Sequence, residues 1–139
     1  SRSAIDDRDE VTVHYTGRDR MGEVFDSSLF ENMPKERQEM LRQYQPDRFD
    51  EKGNIIENEP VTFPLNRVIK GWTEGMKLVG PGGKIILYIP AELAYGAHGN
   101  QAIAPNAALE FEVELIDVKP YVDPAAAEKT ENAEATPAE

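Results

Sequence analysis

The 139-residue chain is 40% hydrophobic and long enough to bury a core, which predicts one globular domain. Its formal net charge of -11 argues against a nucleic-acid partner, because phosphate binding requires a basic surface. The absence of cysteine excludes disulfides, thiolate catalysis and cysteine metal sites, and it leaves the redox compartment open. No apolar run approaches the roughly 20 residues of a membrane span.

Two strands are predicted near the start of the chain. Residues 10–17 alternate between apolar and polar side chains, as is typical of a half-buried strand. A polar turn follows, and residues 23–28 form a second predicted strand, antiparallel to the first. Residues 1–9 are polar and unpatterned and are predicted to be flexible.

Residues 29–59 interrupt the succession of strands. Asn32 is placed to cap a helix and Pro34 to occupy its first turn, and good helix formers fill residues 35–43. Residues 52–54 read Lys-Gly-Asn, which indicates a turn. We therefore predict an inserted subregion with a helix of about three turns and a loop or small hairpin.

The single tryptophan lies in a short amphipathic helix that follows a third strand at residues 60–65. Asn66 is a candidate N-cap, and residues 80–83 (Gly-Pro-Gly-Gly) end the helical pattern. The apolar stripe consists of Val68, Ile69, Trp72 and Met76. Because strands dominate the rest of the chain, the sheet must bury its apolar face mainly on this helix, which places Trp72 near the centre of the molecule.

The remainder of the chain is predicted as strand, loop, strand and tail. Residues 84–89 are apolar on both faces, which indicates a central strand. A long loop at 90–108 leads to the clearest strand, 109–118, whose inward apolar residues alternate with outward glutamates. Residues 120–139 have too little apolar surface to offset the entropy of ordering, so we predict a disordered or loosely helical tail. The folded domain is thus predicted to span residues 10–119.

Several kinds of catalytic site are disfavoured by the pattern. The spacing of Gly75 and Gly80 resembles a phosphate loop, but Pro81 follows where lysine and a hydroxyl residue are needed. The alternating glutamates from 110 to 114 indicate a solvated strand face rather than a metal site. His14 and His98 have no second ligand at zinc spacing, and no Gly-x-Ser-x-Gly turn supports a hydrolase.

Aromatic residues are spread over separate predicted elements. They are Tyr15, Phe25, Phe63, Trp72, Tyr88, Tyr95 and Phe111. Each alone is typical of a core, but together they exceed what a core of this size must fill, and they predict an aromatic-lined cavity for a small apolar ligand. Asp26 is the acid attached to this set. A turn or cap with Ser27 and Ser28 is an equally compatible role for it.

Several blocks of the chain stand in the order found in FKBP-type peptidyl-prolyl cis–trans isomerases. They are Val13-His14-Tyr15-Thr16-Gly17, Phe25-Asp26-Ser27-Ser28, Val68-Ile69-x-Gly71-Trp72-x-Glu74-Gly75, Gly83-Lys84, Ile89-Pro90, Ala94-Tyr95-Gly96, Pro105 and Leu109-x-Phe111-x-Val113-Glu114-Leu115. The resemblance covers residues 10–119 apart from the insertion. It is greatest to the bacterial branch that includes exported folding helpers and the macrophage infectivity potentiator type.

The resemblance implies an α+β fold in which a twisted antiparallel β-sheet wraps around one short α-helix, with the inserted helical subregion added. The pocket would lie between helix and sheet, with Trp72 as its floor. The implied catalytic residues are Asp26, Tyr95, Phe111 and Trp72, and the implied substrate-binding residues are Tyr15, Phe25, Val61, Val68, Ile69 and Ile103. Val61 stands where many relatives have a pocket phenylalanine. The insertion replaces a short connection, so any basic partner of Asp26 would have to come from it.

The resemblance also implies a function. The protein would accelerate rotation of X–Pro bonds in proline-containing polypeptides, would bind macrolide inhibitors of the FKBP type, and would need no cofactor or metal. It points to a periplasmic or otherwise exported location, with the cytoplasm as the alternative, and leaves the oligomeric state undetermined. Two other readings remain open: a non-catalytic module that binds proline-containing segments or a partner, and a chaperone. The chaperone would use an apolar face of the insertion formed by Met33, Met40, Leu41 and Tyr44.

Overall fold

The computed structural model describes residues 5–125, so the parts of the predicted flexible segment and tail at 1–4 and 126–139 lie outside the described residues. The described chain has an α+β fold. Its strands are β1 (Glu10–Arg18), β2 (Val24–Ser27), β3 (Val61–Pro64), β4 (Lys84–Ile89) and β5 (Leu109–Lys119), and its helices are α1 (Lys35–Tyr44) and α2 (Lys70–Gly75).

The strands form one antiparallel sheet in the order β2-β1-β5-β4, with β3 paired to β1 as well. β5 runs along the whole of one edge of β1. The other edge is shared, because β3 pairs with residues 10–13 and β2 with residues 16–18. The chain therefore leaves this edge after β2 and returns to the same edge at β3. The insertion between them extends outward without interrupting the sheet.

The prediction that residues 84–89 form a central strand is wrong, because β4 lies at the end of the strand order among the described residues. Leu87 and Ile89 are buried, whereas Ile86 and Tyr88 are 54% and 74% exposed. Both faces of β4 are apolar, but only the inner face is covered. The apolar side chains of the outer face are exposed to solvent.

The core lies between the inner face of the sheet and α2. The alternation predicted for β1 and β5 is confirmed, since Val11, Val13 and Leu115 are fully buried and the β5 glutamates point outward. The buried cluster consists of Val11, Val13, Tyr15, Leu65, Trp72, Met76, Leu87, Ile89, Ile103, Ala107, Leu109, Phe111, Val113 and Leu115. This inner face supports the candidate site described below.

Helix α2 begins at Lys70, so Asn66 is not its N-cap. Asn66 lies in a 3-10 turn at Leu65–Arg67, and no side chain of residues 5–125 caps the helix. The turn and helix are tied instead by Thr73, whose hydroxyl donates to the Leu65 carbonyl at 2.6 Å. Asn66 fails as a cap because the chain makes this additional turn before the helix starts.

The insertion folds around its own small aromatic cluster. The rings of Phe30 and Phe49 pack edge-to-face at 5.1 Å, and the Arg42 guanidinium lies over both. The prediction that Asn32 caps α1 is wrong. Pro34 occupies the N-cap position, and the side-chain amide of Asn32 donates to the Thr16 hydroxyl instead. The predicted small hairpin is present as a single bridge between Phe49 and Ile55.

The described end of the N-terminal segment contacts the body of the domain. Asp9 is fully buried, its carbonyl accepts from the Leu65 amide, and its carboxylate accepts from the Tyr121 amide. Asp7 forms an ion pair with Lys77. In residues 5–125, no helix is long and apolar enough to cross a membrane.

Close packing of α2 on the sheet yields a stability prediction. A methyl group on Gly71 would lie 2.5 Å from the Ile89 side chain, whereas one on Gly80 would meet nothing within 4 Å. Alanine has a higher helix propensity than glycine. Even so, Gly71→Ala should lower the free energy of unfolding by about 1–3 kcal/mol, because the added methyl group overpacks the contact with Ile89. Urea denaturation would measure this against Gly80→Ala, for which a change within about 0.5 kcal/mol is expected. Equal stability of the two variants would contradict the packing argument.

Candidate functional site: an aromatic cavity between helix and sheet

A cavity of about 430 Å³ opens between α2 and the inner face of the sheet. Four strands, the chain leading into α2, the helix itself and the loop before β5 all contribute side chains to it. Its walls are formed by Tyr15, Phe25, Asp26, Phe63, Arg67, Val68, Ile69, Trp72, Tyr95 and Phe111. The site is thus mainly aromatic, with a few polar groups, as is usual for pockets that bind small apolar groups.

Trp72 lies at the centre of the aromatic side chains. Its ring packs edge-to-face against Tyr15, Phe63 and Phe111, with centroid separations of 5.6, 5.7 and 5.4 Å. Trp72 is only 4% exposed, although it contributes to the cavity wall. Each edge-to-face pair adds about 0.5–1.5 kcal/mol beyond the burial of its area, so these rings hold one another in a fixed arrangement.

Gly17 on β1 allows two of the wall residues to meet. Phe25 and Phe111 pack edge-to-face at 5.5 Å across this glycine. A Cβ atom at position 17 would lie 2.7 Å from each of the two rings. The glycine in the Val-His-Tyr-Thr-Gly block is therefore required because the aromatic wall lies directly over its backbone.

Asp26 and Tyr15 form the polar part of the wall. The Tyr15 hydroxyl donates to the Asp26 carboxylate at 2.6 Å, and the Ser27 amide donates to the other carboxylate oxygen at 2.9 Å. Burial, and then the hydrogen bond to Asp26, raise the pKa of Tyr15 well above its usual range, while the charge of Arg37 opposes this rise. The carboxylate is therefore held in one orientation by two donors.

A buried polar cluster of hydroxyl groups lies behind this pair. The Ser28 hydroxyl accepts from the Tyr15 amide at 2.8 Å and contacts His14 Nδ1 at 3.0 Å. The Ser27 hydroxyl donates to the Tyr15 carbonyl and accepts from the Leu29 amide, and it also bonds with Thr16. These bonds fix the corner at which β2 ends and the insertion begins, so the Asp26 backbone is anchored from both sides.

The wall carries hydrogen-bond donors without a partner among residues 5–125, and two of them lie beside the start of α2 and on the loop before β5. Within residues 5–125, neither the Ile69 amide nor the Tyr95 hydroxyl forms a hydrogen bond. Ile69 immediately precedes α2, and Tyr95 is partly exposed at the mouth of the cavity. Both groups are therefore available to a carbonyl oxygen of a bound ligand.

A family comparison identifies the domain. The model of the FKBP-type peptidyl-prolyl cis-trans isomerase family matches residues 1–116. The chain belongs to this family. Its sequence blocks predicted the resemblance, and this match confirms it.

Among curated relatives of this FKBP-type domain, a probable FKBP-type peptidyl-prolyl cis-trans isomerase of Haemophilus influenzae is 44% identical over 117 residues, which are 84% of this chain and 38% of the relative. A macrophage infectivity potentiator of Trypanosoma cruzi is also 44% identical, over 84% of this chain and 45% of the relative. The crystal structure of FkpA from Escherichia coli has a TM-score of 0.62 at 41% identity, covering 86% of this chain and 44% of that chain. The chain thus spans less than half the length of these relatives.

The structure brings together eight of the ten side chains that the FKBP resemblance implied: Asp26, Tyr95, Phe111, Trp72, Tyr15, Phe25, Val68 and Ile69. The other two lie elsewhere. Val61 pairs with Val13 at the far end of β3 and packs on the core. Ile103 is buried beside a separate hollow of about 310 Å³ near the β1–β2 turn.

Two wall residues were absent from the implied set, and one residue of the aromatic set lies outside the cavity. Phe63 lines the cavity two residues beyond Val61, and the aromatic set read from the sequence already included it. Arg67 carried no recognisable sequence signal. Tyr88, which the sequence grouped with the cavity aromatics, lies on the exposed outer face of β4.

The raised pKa of Tyr15 predicts a late step in a tyrosine titration. Tyr15 should give a late ionisation step, and this step should disappear in Tyr15→Phe when tyrosinate absorbance is followed. Above about pH 10 the unfolded chain loses the tyrosine proton while the folded chain retains it, so stability falls as pH rises. The free energy of unfolding should fall more steeply in the wild type than in Tyr15→Phe, by up to about 1.4 kcal/mol per pH unit.

The matched control for this titration is Tyr44→Phe, since Tyr44 is 72% exposed. This variant should keep the late step. If the late step persists in Tyr15→Phe, then the buried bond between Tyr15 and Asp26 does not hold the proton.

Proposed function

We propose that the protein is a peptidyl-prolyl cis–trans isomerase that acts on proline-containing polypeptides. The observation that carries this proposal is the aromatic cavity around Trp72, whose wall holds a fixed carboxylate together with the Ile69 amide and the Tyr95 hydroxyl, both without a partner among residues 5–125. Family membership supports the same assignment. The Haemophilus influenzae relative of the chain is named as a probable isomerase of this type.

The chemistry of the reaction suits such a site. Rotation about an X–Pro bond is opposed by amide resonance, with a barrier of about 18–20 kcal/mol, and requires no nucleophile or proton-transfer pair. Resonance places charge on the amide, which water stabilises in the planar state. A water-excluding aromatic cavity withholds that solvation and so favours the twisted, less polar state. Each tenfold gain in rate needs about 1.4 kcal/mol, which a few such interactions can supply.

The cavity residues divide between binding and polarisation in this proposal. The rings of Trp72, Phe25 and Phe111 hold the proline ring and exclude water. The Ile69 amide and the Tyr95 hydroxyl each donate to a substrate carbonyl. The Asp26 carboxylate, held by Tyr15 and Ser27, acts on the rotating amide. A macrolide of the FKBP type would occupy the same cavity and compete with the substrate.

Substitutions in the cavity test these roles. Asp26→Asn removes the charge but keeps the size of the side chain, and Phe111→Ala opens the wall to water. Each should lower kcat/KM by about tenfold or more, because each removes about 1.4 kcal/mol or more of transition-state stabilisation. A proline-limited refolding reaction measures the rate, and circular dichroism checks the fold.

Tyr88→Ala is the control for this series, because Tyr88 is exposed on the opposite face of the sheet. It should isomerise at the wild-type rate. Wild-type rates in both Asp26→Asn and Phe111→Ala would refute the assigned roles. Binding of a proline peptide without turnover would instead favour a non-catalytic module.

A chaperone role is a second candidate, and the surface of α1 supports it in part. Met40 and Tyr44 are 53% and 72% exposed and lie one turn apart on the helix. The apolar face predicted from the sequence also included Leu41. Leu41 is buried, so the prediction is wrong for this residue. The exposed pair offers a smaller apolar contact for unfolded segments.

The double variant Met40→Ser/Tyr44→Ser tests the chaperone candidate. It should suppress the aggregation of an unfolding client less well than the wild type, while short-peptide isomerisation stays unchanged. The matched control is Ile86→Ser, which removes an exposed apolar side chain from β4. Equal loss in both proteins would indicate a general effect of surface apolarity, and no loss in the double variant would exclude this face.

A further inference from the structure

Arg67 places a cation on the wall of the cavity at a fixed point of the backbone. It ends the 3-10 turn that precedes α2, two residues before the Ile69 amide. Leu65, at the start of this turn, is fully buried, and its amide donates to the Asp9 carbonyl at 3.0 Å. The anchored turn therefore holds the base of the Arg67 side chain beside the Ile69 amide, which we propose donates to a substrate carbonyl.

The Arg67 guanidinium is exposed and has no partner among residues 5–125, where it makes neither an ion pair nor a hydrogen bond. Some other arginines of this acidic chain have partners. Arg18 pairs with Glu112 at 2.9 Å, and Arg48 pairs with Glu59 at 3.5 Å. Of the arginines without a partner within residues 5–125, Arg67 is the one that lies on the wall of the candidate site.

The other charge on the wall is already engaged. Asp26 accepts from the Tyr15 hydroxyl and from the Ser27 amide. The positive charge of Arg37, on α1, also acts on the Tyr15 side of this wall. Of the two charged wall residues, Arg67 is therefore the one available to a charged group on the ligand.

We infer that Arg67 selects substrates that carry an acidic residue next to the proline. This inference rests on the proposed binding of proline-containing segments. A guanidinium can donate two parallel hydrogen bonds to a carboxylate, which favours glutamate or aspartate over lysine. The overall negative charge of the chain opposes acidic substrates only weakly, because physiological salt screens exposed charges beyond about 8 Å.

Two pairs of short peptides test the inference. In one pair the residue before the proline is Glu or Lys, and in the other pair the residue after it is Glu or Lys. A neutral Ala peptide reports the basal activity. Exchange spectroscopy by NMR gives the isomerisation rate without a coupling protease, and chemical-shift titration gives the affinity of each peptide.

The wild type should favour the Glu peptide over the Lys peptide by about two- to fivefold in kcat/KM, in the pair whose charged residue the guanidinium reaches. Arg67→Glu should reverse this preference, and Arg67→Lys should keep part of it. Because the contact is exposed, about 0.5 M salt should reduce the preference. The neutral peptide gives each variant its own reference rate, so the preference is read as the ratio of the Glu rate to the Lys rate within one protein.

Lys84→Glu is the matched control, since Lys84 is exposed on β4 and changes the net charge by the same amount. It should keep the wild-type preference. The inference is overturned if the wild type treats Glu and Lys peptides equally in both pairs, or if Arg67→Glu leaves the preference unchanged. Failure of the isomerase proposal gives a different result: no peptide is isomerised, and the Glu preference is then judged from affinities alone.

Discussion

The structure depends on the packing of Trp72 against rings from three different strands. Tyr15 on β1, Phe63 on β3 and Phe111 on β5 each meet the indole edge-to-face. These contacts are possible because α2 approaches the sheet closely at Gly71, where a Cβ would collide with Ile89. The same contacts that stabilise the core therefore also shape the cavity. In this fold, core packing and ligand binding are properties of one set of side chains.

Polar groups determine where the carboxylate of the site lies. Asp26 would be free to turn toward water at the end of a short strand, but the Tyr15 hydroxyl and the Ser27 amide both bind it. Buried hydroxyl groups of Ser27 and Ser28 then tie this corner to the backbone of β1. The insertion starts directly after this corner and contributes Asn32 to the same polar cluster. Because β2 and β3 share one edge of β1, an insertion of this size is tolerated beside the site.

Much of the fold and of the candidate site could be predicted from local patterns. Alternation identified β1 and β5 because a strand with one buried face imposes a period of two on its side chains. Multi-residue blocks identified the family and eight residues of the cavity wall. The helix caps at Asn32 and Asn66 failed because a cap depends on the direction in which the chain enters the helix. β4 was placed wrongly because apolarity on both faces does not reveal how many neighbours a strand has.

The sequence by itself determined the family, the identity of the aromatic residues and the position of the acid among them, since these follow from residue type and order. Only the tertiary structure decided which of these residues share a wall. Val61 and Phe63 occupy the same strand face, yet only Phe63 reaches the cavity, because the site lies at the α2 end of β3. Likewise, the sequence shows that Arg67 is charged, but not that it lacks an ionic partner within residues 5–125 and lies on the cavity wall. Distances between residues far apart in sequence arise from packing, which no local pattern encodes.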